Sequence, residues 1–171
     1  MNGCMTSEED TMPKTALLDT SFFLRFLNEN DPLFKNADGY FRYFLENEYS
    51  LAISTISVAE YCVGGTIDQL PLKNLKIIPF NLSHAKRTGE FAKILFTERN
   101  NGLVNFKERV LIPNDSKLFA QADVDSFIEY FITSDSRSIK AHSVLKKYTN
   151  PHFSIIDINQ SYSNTFGLLD L

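Results

Sequence analysis

The sequence predicts one α/β domain built on a mostly parallel sheet. Short apolar runs of strand length alternate with amphipathic helical stretches along the chain, the order that places helices between parallel strands. The 171 residues, 43% of them hydrophobic and fifteen of them Phe, are enough for one core of ordinary size. No internal repeat or low-complexity tract interrupts the alternation.

Residues 1–14 are polar and acidic, carry Pro13, and read as a flexible leader. Thr15-Ala-Leu-Leu-Asp19 is a buried strand ending in an acid, and the Ser/Thr turn after it opens an apolar helix with Phe22, Phe23, Leu24, Phe26 and Leu27. Residues 37–47 place Tyr40, Phe41, Phe44 and Leu45 on one side of a second helix. Leu51–Ser54 is the second strand. A helix from Thr55 to Val63 follows, with Ile56, Val58, Ala59 and Val63 on one side and Gly64-Gly65 to end it. Lys76–Phe80 is the third strand, and Ser83 is the expected cap of a long helix reaching about Arg99, with Ala85, Phe91, Ala92, Leu95 and Phe96 as its apolar positions. Asn100-Asn101-Gly102 breaks it. Val110-Leu-Ile-Pro113 leads into Asn114-Asp115, where the next helix is expected to start, running to about Asp123. Tyr130–Thr133 is a buried strand, Ser134-Asp135 precedes a basic helix to about Lys147, and Phe153–Ile158 is the last strand after the turn Asn150-Pro151. Residues 15–158 thus form the domain, and 159–171 form a tail whose role the sequence does not disclose.

Seventeen Lys and Arg stand against twenty-one Asp and Glu, a net charge of −4, which at first sight argues against a nucleic-acid partner. The distribution alters that inference: residues 73–147 hold thirteen basic and eight acidic side chains and are basic on their own. Two cysteines, Cys4 and Cys62, support neither a disulfide framework nor a Cys-based zinc site, which fits a reducing compartment. The N-terminal run lacks the pattern of a signal peptide, and no apolar run is long enough to span a membrane. The sequence therefore predicts a soluble, cytoplasmic protein, in which the Asn-x-Ser triplets at Asn81, Asn114 and Asn159 are chance matches.

Four acids stand at the ends of elements. Asp19 and Asp135 follow buried strands, and in open parallel sheets ligands bind at the carboxyl ends of strands. Asp115 is expected at a helix start, where an Asp is as readily a plain cap or dipole partner. Glu60 lies in a mostly apolar helix, where a solvated edge is the simplest explanation of a lone acid. The combination is more specific than its parts. The order Leu-Leu-Asp19-Thr-Ser, Ser57-Val-Ala-Glu60-Tyr, Pro113-Asn-Asp115 and Ile132-Thr-Ser-Asp135 resembles the PIN-domain ribonucleases, and among them the VapC-type toxins of toxin–antitoxin pairs. The resemblance spans about residues 15–158.

That resemblance implies a three-layer α/β/α sandwich and an acidic pocket of Asp19, Glu60, Asp115 and Asp135 that binds Mg²⁺ or Mn²⁺ and cuts RNA, whether tRNA, rRNA or mRNA. It implies supporting roles for Ser21, which matches a small polar residue bonding to a ligand or water, and for Thr133, which would orient the last acid. It also implies a cognate antitoxin and a homodimer. Asn114 departs from the small or varied residues usual before the third acid. Elementary electrostatics points the same way, because carboxylates ~4–8 Å apart repel by roughly 2–4 kcal/mol per pair at an effective dielectric of 20. Such a cluster is protonated or holds cations, and an all-oxygen donor set selects a hard ion over Zn²⁺. Asp19, Glu60 and Asp115 are then expected to hold the ion directly or through water, with Asp135 completing the site or helping to position the nucleophilic water.

Lys86, Arg87, Lys117, Arg137 and Lys140, with Lys93, Lys146 and Lys147, are candidates to line an RNA path, although each alone also reads as part of a solvated helix face. Phe22, Phe23, Phe26, Tyr40, Phe41, Tyr43 and Phe44 read mostly as core. His84, His142 and His152 lack metal spacing and are expected at the surface or in caps. No phosphate-cradling Gly-rich loop is present, and Val63-Gly-Gly-Thr66 is too short to act as one. An aspartyl-phosphate phosphatase, suggested by Leu18-Asp19-Thr20, lacks its second Asp, since Ser21 stands there, and a receiver's acidic pair near the first strand and Lys after the last are not evident. The alternative to the nuclease is a noncatalytic PIN-like module that binds RNA or protein, against which the concentration of four acids weighs.

Overall fold

The computed structural model describes residues 13–100 and 111–168. Of the expected leader, only Pro13 and Lys14 fall within these residues. Asn100, the first residue of the expected break, is still helical; Asn101-Gly102, the lead-in at Val110 and the end of the tail after Leu168 lie outside the described residues.

Five strands form one all-parallel sheet: β1 (Thr15–Leu18), β2 (Ser50–Ser54), β3 (Leu75–Ile78), β4 (Ile128–Thr133) and β5 (Ser154–Asp157), in the order β3-β2-β1-β4-β5. The register places Leu18 opposite both Ile53 and Ile132, and Ile132 opposite Ile156. Because the chain leaves β1 toward β2 on one side and β4 joins β1 on the other, the strand order reverses at β1. A crevice opens at its carboxyl end.

Side chains alternate between the two faces of each strand, and both faces are covered. Ala16, Leu18, Leu51, Ile53 and Ile132 face a layer formed by α1 (Thr20–Phe26), α2 (Phe34–Glu46) and α7 (Tyr162–Phe166). Leu17, Ala52 and Phe131 face the other layer, formed by α4 (Leu82–Asn100), α5 (Leu111–Val124) and α6 (Ser136–Tyr148). The arrangement is the expected three-layer α/β/α sandwich. Each Phe taken wholly from water contributes about 1.5–3 kcal/mol before entropy is counted, and Phe22, Phe23, Phe44, Phe91, Phe119, Phe131 and Phe153 are all in that position.

Several local expectations change. The helix after β2, α3 (Thr55–Tyr61), turns Ser57 and Tyr61 inward, while Ala59 is exposed and Val63, beyond the helix, is 89% exposed. The tight turn after it suits Gly65, where a Cβ would stand 2.5 Å from the Tyr61 ring. Leu45 of α2 is also exposed. Asp115 is not at a helix start: α5 begins at Leu111, four residues earlier. Pro113 is tolerated there because the first turn's N–H groups have no partner within the helix. His142 is not a surface residue but is 3% exposed beside the rings of Phe119 and Phe153, where burial holds its imidazole below the ordinary value. The unread tail contributes α7, whose Tyr162 and Phe166 rings pack on Tyr40 and Tyr43.

The cap of α4 is Asn81 and not Ser83. Its Oδ1 accepts the His84 N–H at 3.1 Å, and its own N–H donates to His84 Nδ1 at 3.0 Å. With Nδ1 accepting, Nε2 carries the proton and donates to Asp125 Oδ1 at 3.1 Å. This is a capping box with His in the usual Glu position. Asn81→Ala is expected to cost about 1 kcal/mol of stability, measured as a lower urea midpoint with an unchanged slope.

Candidate active site

Asp19 is set in the crevice by the end of β1. Its N–H donates to Ile132 O at 2.9 Å, which ties the start of α1 to β4. The carboxylate then meets three donors: Thr20 N–H on Oδ1 at 2.8 Å, and the Ser21 and Thr133 hydroxyls on Oδ2 at 2.7 and 2.8 Å. Asp19 is 8% exposed. Burial raises its pKa, the two hydroxyls oppose this, and the charge on Glu60 adds to the rise.

The same two hydroxyls fix the loop after β4. Ser21 Oγ accepts the Ser134 N–H and Thr133 Oγ1 accepts the Asp135 N–H, each at 3.0 Å. Thr133 therefore accepts from the backbone of Asp135 and donates to Asp19, which links the first and last acids. Glu60, projecting from α3, accepts the Thr20 hydroxyl at 2.6 Å. Asp115, in the second turn of α5, accepts the Ser138 hydroxyl of α6 at 3.1 Å. Its pKa rises from 3.8 to about 7, chiefly by burial and then by the charge on Asp19, with Asp135 adding to the rise.

Asp135 caps α6 by accepting the Arg137 N–H at 2.8 Å. Burial alone would raise its pKa, but hydrogen bonds from Arg137 outweigh this and hold the carboxyl below its ordinary value. Arg137 Nε reaches both oxygens and Nη2 reaches Oδ2 at 2.9 Å, so both oxygens of Asp135 are engaged.

All four acids line one cavity of about 440 Å³, together with Thr20, Ser21, Leu24, Arg25, Ser134, Ser136 and Arg137. Four elements separated in sequence supply them. The donor set is carboxylate oxygen throughout, which suits a hard divalent ion. As the side chains stand, no group of three Asp, Glu, His or Cys among the described residues closes around an ion position.

Of the five candidate RNA-path residues, Arg137 lines this cavity. Arg87 is directed elsewhere: it pairs with Asp123 and Glu90 and stacks over Phe91, beside a separate cavity between α4 and α6. Lys86 and Lys140 are exposed on α4 and α6, and Lys117 is half-buried on α5. Three residues at the site went unread in the sequence. Thr20 had a signal, its place beside Asp19. Ser138 lies three residues past Asp135, a spacing that puts it on the same turn of a helix, and Arg25 lies six past Asp19.

The fold and this cavity define an α/β/α sandwich domain with four acids gathered at the carboxyl end of its parallel sheet. The chain is similar in structure to a chain of VapBC2 from Rickettsia felis, solved bound to a DNA fragment from its promoter, with a TM-score of 0.57 and 19% identity over 84% of this chain and 98% of that one. It is also similar to a chain of DNA-bound VapBC from Salmonella typhimurium, with a TM-score of 0.52 and 16% identity over 86% of this chain and 99% of that one. No protein-family model matches the sequence, and no curated protein matches it.

Proposed function

We propose that the chain is a metal-dependent endoribonuclease that hydrolyses phosphodiester bonds within RNA. The observation that carries this reading is the convergence of Asp19, Glu60, Asp115 and Asp135 on one cavity at the carboxyl end of the sheet. Uncompensated, their charge is costly: burial first, and then the charges on Asp19 and Asp135, push the Asp115 carboxyl up to about 7.

Asp19, Glu60 and Asp115 are the residues to hold the ion, since Arg137 already engages Asp135. Bound there, Mg²⁺ or Mn²⁺ supplies a more acidic water and offsets charge on the phosphate. The chain does the positioning. Ser21 and Thr133 hold Asp19 in one orientation, Thr20 holds Glu60, and Ser138 holds Asp115, so the carboxylates need little rearrangement when the strand enters. Asp135, fixed by its cap and by Arg137, helps to aim the attacking water.

The likeness to chains of VapBC complexes supports a narrower proposal, that this nuclease is the toxin of a toxin–antitoxin pair. It would then be held by a small antitoxin protein and act as a homodimer in the cytoplasm. Among the described residues, no helix is long and apolar enough to cross a membrane. Incubating the purified chain with single-stranded RNA, with Mn²⁺ or with EDTA, tests the activity. Internal cuts are expected with Mn²⁺ alone. RNA binding that ignores the metal and yields no product would replace the nuclease with a noncatalytic binding module.

A further inference from the structure

Arg25 lines the acid cavity from the last turn of α1, yet its salt bridge is with none of the four acids. Its Nη1 donates to Asp31 Oδ2 at 2.8 Å. Asp31 is itself fixed, because its Oδ1 accepts the Leu33 N–H at 2.8 Å and its side chain is 8% exposed. The bonds from Leu33 and then from Arg25 hold the Asp31 carboxyl below its ordinary value. The guanidinium is thus held in orientation by an anchored carboxylate, with the Arg25 side chain 43% exposed at the cavity. Its Nε is buried without a hydrogen-bond partner, so the exposure lies on the rest of the side chain, which lines the cavity. Arg137, the other guanidinium in the cavity, spends Nε and Nη2 on Asp135.

A cavity lined by four carboxylates repels the backbone of a nucleic acid, so a strand entering it needs a cation that those acids have not neutralised. We propose that Arg25 binds an RNA phosphate flanking the cleavage point, with Asp31 as the positioning residue that holds the guanidinium toward the cavity. The inference rests on the ribonuclease reading for the identity of the anion. Its chemistry is that of a planar fork meeting phosphate oxygens.

The test is the salt dependence of RNA affinity. Binding of a short fluorescein-labelled oligouridylate is followed by anisotropy with all four acids intact and Ca²⁺ in place of Mn²⁺, the strand being checked on a gel as still whole. A protein that loses one phosphate contact to single-stranded RNA loses about 0.7 from the slope of log K against log salt. Arg25→Ala is expected to show that loss and roughly tenfold weaker binding at low salt, the size of one charge-assisted hydrogen bond. Arg25→Lys restores the slope. Asp31→Asn weakens binding but keeps the slope, because the charge remains and only its aim is lost. Arg42, which pairs with Asp38 on α2 and does not line the cavity, serves as the control, and its alanine variant leaves both quantities unchanged.

If Arg25→Ala does not fold, Arg25→Gln carries the same expectation. An unchanged slope and affinity in a folded Arg25 variant, an equal loss in Arg42→Ala, or no RNA binding by the parent would overturn the assignment. Arg25-dependent binding without any cleavage by the wild type leaves this inference standing and removes the nuclease. Cleavage without an Arg25 effect does the reverse.

Discussion

Changing Asp19 to Asn is expected to lower Mn²⁺-dependent RNA cleavage at least about a hundredfold, the scale on which one preorganised electrostatic group acts. The substitution removes a charge at the point where β1, α1 and the loop after β4 meet. It barely alters shape. Asp19 Oδ2 accepts two hydroxyls, and the Asn side chain can still accept through its carbonyl end but not through its NH₂. One hydrogen bond is lost, a cost of about 1 kcal/mol, while a buried charge is removed, which offsets that cost. The variant therefore stays folded, and a melting temperature within a few degrees of wild type alongside lost cleavage separates a chemical effect from a structural one.

The second large effect is on stability. Asp115 titrates near 7 in the folded chain against 3.8 for the free group. A carboxyl whose pKa is raised on folding contributes stability that is complete below its unfolded pKa and lost as pH rises through its folded pKa. The metal-free chain is therefore expected to lose about 2–4 kcal/mol from this group between roughly pH 4 and pH 8. Asp19, also raised, acts in the same direction. Asp135 does not oppose them in this window. Its pKa is lowered, so its contribution is lost only as pH falls below the ordinary carboxylate range. Thermal melts in EDTA across pH check the sign. Asp115→Asn should flatten the profile and melt higher than wild type near pH 8. Adding Mn²⁺ should raise the wild-type melting temperature most at the alkaline end, because an ion that binds only the folded state stabilises it by mass action. A wild-type profile flat between pH 5 and pH 8 would contradict the burial of Asp115 beside other charges.

These predictions depend on residues that the sequence exposed unevenly. Asp19 and Asp135 were legible because each follows a run of strand-forming apolar residues, and the carboxyl ends of parallel strands share one edge. The strands themselves were legible for the same reason, since Leu17-Leu18 and Phe131-Ile132 are buried on both faces and read as continuous apolar runs. Asp115 was recognisable by its place in the order of acids, but its position within α5 was not, because Pro113 suggests a helix boundary where the helix is already in its first turn. Glu60 gave no local signal. Its inward direction depends on Ser57 and Tyr61 being the buried face of α3, and a face with a buried Ser inverts the usual apolar pattern.

What stayed hidden is mostly the work of hydroxyl groups and tertiary pairing. Thr20 and Ser138 went unread, and even for Ser21 and Thr133, which the resemblance pointed to, the partners lie across gaps of up to 114 residues, as in the Thr133 to Asp19 bond. No periodicity reports such contacts. The basic residues show the opposite error: their sequence cluster suggested one path, and the fold directs Arg87 to Asp123 and Glu90 and leaves Arg137 in the cavity. Arg25, which lies outside that sequence cluster, shares that cavity. The net charge of −4 is compatible with an anionic substrate because four of the acids occupy the proposed cation site.

The claim beneath all of this is that the acid cluster is a divalent-cation site. A calorimetric titration of Mn²⁺ into the intact chain, set beside the same titration of Asp19→Asn and Asp115→Asn, measures it directly. Saturable binding by the wild type that is strongly weakened in both variants is the expected result. No binding by the wild type, or equal binding by all three, would contradict it.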